Sequence, residues 1–352
     1  MRFIHLDMKT SVIQKPACIP EADKARLKIM FLAKHARSAG IPDQIDGNHA
    51  IYHHELRTTL ERIGLNVVAE QDYSAIEAAP AADFVIPLLN RAGFQNSEML
   101  APLMLARRGV PFLGASPILR GVADDKHLSK LLARHHAVPT AAWTICRRGA
   151  TIAEPRFHPE RLVVKPNASS ASWGVKVVDG WAEGREHVER LQALGHDVIV
   201  EEYLPLLDVA VPVIGGAGDE PWLLPPMAHC PEALGEVRSY EEKRALAPTL
   251  ASDPLSPLED PALVARLEEL TRRLASELWP FDYGRFEFRL DPRTGAASFM
   301  EVNLSCNLWS KKSISRSAAV LGMSHETLVE SIVAHSLRRQ RVIVAERLER
   351  AA

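Results

Sequence analysis

Residues 282–303, DYGRFEFRLDPRTGAASFMEVN, constrain the fold more than any other stretch. Arg285, Glu287, Arg289 and Asp291 alternate with Phe286, Phe288 and Leu290; further on, Phe299, Glu301 and Asn303 alternate with Met300 and Val302. Alternation at period two predicts strands whose successive side chains point to opposite faces. Asp291-Pro292-Arg293-Thr294-Gly295 supplies turn chemistry between them. The prediction is a hairpin with Arg285 and Glu287 sharing one face of the first strand and Glu301 and Asn303 sharing one face of the second. If the two polar sets lie on the same side, two carboxylates and an amide oxygen converge beside a guanidinium. That hard oxygen set suits Mg²⁺. The alternative is a solvated strand face with a surface ion pair. The metal reading is preferred, because acids set between apolar positions are costly to bury without a cation.

The rest of the chain has to supply what such a site would act on. Its 352 residues are enough for two or three domains, and a formal net charge of −2 favours neither nucleic acid nor an acidic membrane as partner. Four cysteines, Cys18, Cys146, Cys230 and Cys306, stand far apart, so no zinc site or disulfide framework is expected. The start, MRFIHLDMKT, lacks the apolar run of a signal peptide, and no stretch is apolar enough to span a bilayer. The expected setting is cytoplasmic.

Taken in order, residues 1–26 read as an irregular arm. Strands are expected at 28–33, 65–69, 83–89 and 111–114, and helices at 49–63 and 96–108. Strands alternating with helices imply a parallel sheet covered on both faces. The loops 34–49 and 90–95 lie where such sheets bind ligands, but neither carries GxGxxG, so a dinucleotide site is not expected. His53-His54 and His135-His136 are adjacent on helices, diverge, and read as packing or surface residues rather than chelating pairs. A helix at 124–136 precedes strands at 141–146 and 161–165. The second of these runs into NASSASWG, residues 167–174, a small hydroxyl-rich loop whose N–H groups could approach phosphate oxygens. A plain hairpin loop reads the same way. Strands at 175–178, 196–201, 208–214 and 222–224 follow, with a helix at 182–194 among them. A polar stretch at 237–248 comes next, then a leucine-striped helix at 263–278, the hairpin, and two closing helices.

Five of these stretches together resemble the ATP-grasp superfamily, and within it the D-alanine–D-alanine ligase branch. They are DDKHLSK, RLVVKPNASSASWGVKVV, VIVEEYL, RSYEEKR and the pair GRFEFRLD and FMEVN, and they fall in the family's order. The resemblance covers about residues 109–337. It implies an α/β chain with an N-terminal parallel α/β domain (1–122), followed by a two-part α+β ATP-grasp domain, a small subdomain (123–205) and a large one with the metal hairpin (206–352).

Residue by residue, the resemblance implies that Lys126 and Lys165 hold nucleotide phosphates under the loop of Ser169 and Ser170. Glu201, Glu202 and Leu204 would flank adenine with Tyr203 beside them, and Asp208 would meet the ribose. Lys243 would reach the transferred phosphate. Glu287, Glu301 and Asn303 would hold two Mg²⁺ ions, with Mn²⁺ as a substitute, and Arg285 would steady the reacting carboxylate. The implied cofactors are ATP and Mg²⁺, and the implied partners are small carboxylate and amine substrates. Neither nucleic acid nor membrane is implied, and there is room for a homodimer. Both substrate regions depart from the family: AKHARSAGIPDQIDGNHAIYHH and NRAGFQNS do not match its substrate loops, and Leu304-Ser305-Cys306-Asn307 replaces its Pro-Gly continuation.

The expected activity is ATP-dependent amide bond formation through an acylphosphate, on an amino-acid-like substrate other than two D-alanines. The alternatives are a D-alanine–D-alanine ligase proper, a cyclo-ligase and a non-catalytic nucleotide-binding module. A metal-dependent hydrolase would not need lysines at both strand ends. Lys311 and Lys312, with Ser313, Ser315 and Arg316 behind them, are expected to face the pocket and meet an extra anionic group on a substrate. A solvated basic helix start is the other reading of that run.

Overall fold

The computed structural model describes residues 14–78, 82–89, 97–169, 171–217, 220–229 and 255–344. Ser170, the loop 90–95 and the stretch 237–248 with Lys243 lie outside the described residues.

The N-terminal sheet is parallel, in the order β2-β1-β3: β1 Lys28–Leu32, β2 Asn66–Glu70 and β3 Phe84–Pro87. β1 is central, and its apolar run KIMFL is what a strand covered on both faces requires. Helices α1 Glu21–Arg26, α2 His49–Arg62, α3 Ser74–Glu77 and α4 Leu100–Arg107 accompany it. Three expectations need correction here. Residues 21–26 are helical rather than an irregular arm, because three-residue Glu21–Lys24 and Asp23–Arg26 ion pairs support the turn. The helix expected over 96–108 opens as a 3₁₀ turn, Ser97–Met99, before α4. Residues 111–114 form a single bridge, Val85 to Phe112, because Gly114 (φ 117°) turns the chain away. It turns into α5 Pro117–Asp124, a helix the sequence pattern does not announce, capped by the Ser116 hydroxyl.

α6 Lys126–His135 starts at Asp125, whose carboxylate accepts from the Leu128 N–H at 2.9 Å. A four-stranded antiparallel sheet follows, in the order β4-β7-β5-β6: β4 Trp143–Cys146, β5 Leu162–Pro166, β6 Lys176–Val178 and β7 Val198–Glu202. Helix α7 Trp181–Ala193 covers one face, with Val188 and Leu191 against Val164, Val198 and Val200.

The last sheet is antiparallel, in the order β11-β10-β8-β12-β13 with β9 also on β8. Its strands are β8 Leu207–Gly215, β9 Pro221–Leu223, β10 Met227–His229, β11 Leu255–Pro257, β12 Tyr283–Leu290 and β13 Ala297–Asn303. Helix α8 Pro261–Leu278 lays Leu267, Leu270, Leu274 and Leu278 on it. Asp260 caps this helix by accepting from the Ala262 and Leu263 N–H groups. After α9 Ser313–Val320, α10 His325–Arg339 returns to the first sheet, where Leu328, Ile332, Val333 and Leu337 share a core with Leu27, Ile29 and Phe31. No helix among the described residues is long and apolar enough to cross a membrane.

The hairpin forms as the alternation predicts in β12 but not throughout β13. Arg285 pairs with Asn303 and Glu287 with Glu301, and then the register slips so that Phe288 faces Phe299 and Met300 has no partner. This bulge puts Phe299 and Val302, three residues apart, on the same buried side. The expectation that Phe299 shares a face with Glu301 and Asn303 is therefore overturned. Met300, expected on the core face, lines a cleft instead.

Candidate active site

That cleft, about 340 Å³ in volume, runs between the two antiparallel sheets and reaches the N-terminal segment. Its hairpin end is built by strand pairing alone. Because Glu287 and Glu301 are register partners on neighbouring strands, as are Arg285 and Asn303, their side chains emerge together. Glu287 accepts from Arg285 Nε at 2.8 Å and also from Nη2. Glu301 Oε2 lies 3.2 Å from Lys126 Nζ, and the same ammonium donates to the Ser169 carbonyl at 2.9 Å. Lys126 thus joins the hairpin to the loop after β5. Burial works against the charged Arg285, but Glu287 outweighs it and holds the guanidinium pKa above its usual value. Two carboxylates and an amide oxygen, already neutralised by two fixed cations, are a donor set that fits a hard divalent ion. Beside them burial pushes the Cys306 thiol up to about 12, so it stays protonated and is no nucleophile.

A second cluster lies deeper. Lys165 at the end of β5 donates to Glu201 Oε1, and Lys130 lies 3.0 Å from Glu201 Oε2; Lys130 and Glu201 are fully buried. Burial raises the Glu201 pKa, yet the two ammonium groups prevail and hold it at about 2. Lys130 also donates to Thr140 at 2.7 Å, and Thr140 to the Phe299 carbonyl at 2.7 Å, which locks α6 to β13. Lys130 is a residue the sequence reading missed. The signal was there: it follows Lys126 by four positions, hence on the same helical face.

The structure gathers Lys126, Lys165, Ser169, Glu201, Glu202, Tyr203, Leu204, Asp208, Arg285, Glu287, Glu301, Asn303 and Lys312 around one cleft. Glu201, expected beside adenine, has its carboxylate turned to two lysines, so it acts on the cleft by fixing Lys165. Tyr203 lies under the Arg161 guanidinium, 4.9 Å from ring centroid to carbon. Lys311 does not line the cleft: it is exposed over the Trp309 ring at 5.3 Å, whereas Lys312, at the N-cap of α9, does line it. Ser315 is buried against His325 and Arg316 is exposed, so the expected basic wall reduces to Lys312. In the loop after β5, Ala171 (φ 54°) and Ser172 (φ 58°) hold left-handed conformations, which cost of order 1 kcal/mol each and persist only when fixed by their surroundings. Ser169 Oγ ties the loop by donating to the Trp173 carbonyl at 3.0 Å. His49, Tyr52, Arg120, Met227, His229 and Met300 also line the cleft and were not foreseen.

A parallel sheet followed by two antiparallel sheets that enclose lysines, paired acids and an asparagine is the architecture of an ATP-grasp ligase. The family model described as D-ala D-ala ligase C-terminus matches residues 139–334, more than half of the chain, and the chain belongs to that family. An uncharacterized protein of Sinorhizobium fredii is 29% identical over 243 residues, 68% of this chain and 70% of that one. A D-alanine–D-alanine ligase of Desulfovibrio desulfuricans is 28% identical over 265 residues, 73% of this chain and 81% of its own. Among solved structures, a D-alanine–D-alanine ligase from Bacillus anthracis complexed with ATP shares the fold, with TM-score 0.69, 20% identity, and coverage of 90% of this chain and 99% of that one.

Proposed function

We propose that this ligase uses ATP to join a small amino-acid-like carboxylate to an amine other than a second D-alanine. The observation that carries the reading is the convergence of Lys126, Lys165, Arg285, Glu287, Glu301 and Asn303 on one cleft. The D-alanine–D-alanine ligase reading draws on the relatives' names. The cleft walls argue otherwise, since Arg120, His49 and Lys312 add cationic and titratable groups at the substrate end.

In this reading Lys165 and Lys126 hold the inner phosphates. Met300, Met227 and Leu204 offer apolar walls to the adenine, with Glu202 and Tyr203 at its edge and Asp208 at the ribose. Glu287, Glu301 and Asn303 would hold Mg²⁺, or Mn²⁺ in its place; bound there, the metal neutralises phosphate oxygens. The substrate carboxylate attacks the γ-phosphorus, the bond to the bridging oxygen breaks, and ADP leaves. The amine then attacks the acyl carbon, phosphate departs, and the amine proton is lost to solvent. Arg285 steadies the carboxylate in the first step and the oxyanion in the second, already aimed by Glu287 and by the Ser313 hydroxyl at 3.4 Å. Phosphate release from ATP and Mg²⁺ across a panel of amino acids, with product mass, tests the whole reading. Turnover of D-alanine alone to the dipeptide would restore the D-alanine–D-alanine ligase.

Two variants separate the parts. Lys165→Ala should weaken ADP binding about 10- to 100-fold by calorimetry, the worth of a charged hydrogen bond. Lys243→Ala should leave ADP affinity alone and slow turnover, because the resemblance puts it at the transferred phosphate. Equal losses of ADP affinity would refute this division. Lys312→Ala should raise the KM of an anion-bearing amine substrate about tenfold while kcat holds, the sign of lost ground-state binding. An unchanged KM would remove Lys312 from the substrate site.

A further inference from the structure

Arg120 stands out among the groups this mechanism leaves unused. It projects from α5, is 3% exposed, and lines the cleft. Its Nη1 donates to the Ser305 hydroxyl and its Nη2 to the Leu113 carbonyl at 3.1 Å, while Nε is buried with no acceptor. A guanidinium has five N–H donors and stays charged at every working pH, so three of its donors have no protein partner among the described residues. No carboxylate among the described residues comes within 4.0 Å of it, although Glu98 lines the same cleft. A buried cation without a counter-ion is costly by several kcal/mol.

The surroundings nevertheless keep Arg120 in place. Gly114 is the neighbour, and a Cβ there would overlap the guanidinium, so the backbone is cut back to make room. Gly114 is in turn held by Asp282, which accepts from its N–H at 2.6 Å. Ser305, the other anchor, is oriented by its own N–H donating to Asn303 Oδ1 at 2.9 Å. A charged, fixed fork with spare donors, facing a substrate cleft two residues from the asparagine of the hairpin, is short of one anion.

We infer that Arg120 binds a carboxylate of the substrate other than the reacting one, so that the preferred substrate is an acidic amino acid or similar dicarboxylate. Bidentate pairing with a carboxylate matches the planar fork. It supplies the missing counter-ion and excludes neutral analogues, since an amide in the same place leaves the buried charge unmatched. This rests on the ligase reading for which molecule enters, but not for the anion site itself. Lys312 is a separate cation on a different element, so the two can be told apart.

The test compares D- and L-aspartate and glutamate with asparagine and glutamine, on wild type, Arg120→Met and Arg120→Lys. With ATP and Mg²⁺, wild type should show a KM at least about tenfold lower for one acid than for its amide. Arg120→Met should remove that preference by raising the KM of the acid alone, with ADP affinity unchanged, and Arg120→Lys should restore part of it. Thermal shift in the presence of ADP gives a readout without turnover: the acid should raise Tm for wild type and not for Arg120→Met. If no compound releases phosphate but the Tm difference persists, the ligase reading fails and the anion site stands. If wild type treats acids and amides alike in both assays, Arg120 binds no substrate carboxylate. The proposal fails equally if Arg120→Met lowers Tm while the preference survives in Arg120→Lys and Arg120→Met alike, because the guanidinium is then structural.

Discussion

Glu301→Gln abolishes phosphate release, by at least about 10²- to 10³-fold, and leaves the protein folded. Removing one pre-positioned charge from a phosphoryl-transfer site has effects of that size. Glu301 faces Glu287 across the hairpin, and its side chain is about one-third exposed, so the amide keeps its shape and hydration there. Lys126 is buried and loses its ion pair, but it keeps the Ser169 carbonyl and can donate to the new amide oxygen, so the cost in stability should stay at about 1–3 kcal/mol. Glu287→Gln should be milder in turnover. Its cost in stability is larger, because Glu287 is the carboxylate on which Arg285 rests. Phosphate release and melting temperature are read on both variants, and ADP affinity is measured with and without Mg²⁺. Glu301→Gln should remove the part of ADP affinity that depends on Mg²⁺. Wild-type turnover in Glu301→Gln would mean that the hairpin is not the metal site.

Much of this site is legible in the sequence for a physical reason. On a strand the face of a side chain follows from its parity, so Arg285 and Glu287 can be placed without coordinates, as can Glu301 relative to Asn303. The same rule fails one residue earlier, at Met300, because a bulge changes parity without changing composition. Lys312 and Lys311 are neighbours at a helix start and both ammonium groups lie near the Trp309 ring, at 6.0 and 5.3 Å; that Lys312 alone also lines the cleft follows from the packing of the chain and not from the sequence pattern. Arg120 was invisible because α5, PILRGVAD, carries a glycine and too short a run to show a period. Lys130 was visible as a position, but its burial required knowing that Glu201 would pack against it. The elements misjudged in the fold are of the same kind. Residues 111–114 look like a strand, and only the demands of Asp282 on Gly114 show why they leave the sheet.

Those demands carry a large stability effect. Asp282 has no exposed surface, immediately precedes β12, and accepts four hydrogen bonds. They come from the Gly114 N–H at 2.6 Å, the Ser336 hydroxyl at 2.5 Å, Arg339 Nε at 2.9 Å and Arg339 Nη2 at 3.0 Å. One carboxylate therefore ties three segments that the sequence sets far apart: the end of the N-terminal unit, the base of the hairpin and the last helix. Asp282→Ala strands the Gly114 N–H without an acceptor and leaves Arg339, among the described residues, with only the Gly114 carbonyl. Breaking a buried charged pair from one side costs about 3–5 kcal/mol. The Arg339 side chain is 22% exposed and can recover some hydration, so the lower half of that range applies. Asp282→Asn keeps one acceptor oxygen but turns an NH₂ toward donors, and should lose less. Urea unfolding reads both as a fall in midpoint at constant slope. Because Gly114 borders Arg120 and Asp282 borders the hairpin, Asp282→Asn should also blur the discrimination between acid and amide substrates while ADP affinity holds. A wild-type midpoint in Asp282→Ala would mean that the three segments are held by their apolar contacts alone, and the positioning of Arg120 would then have to come from Ser305.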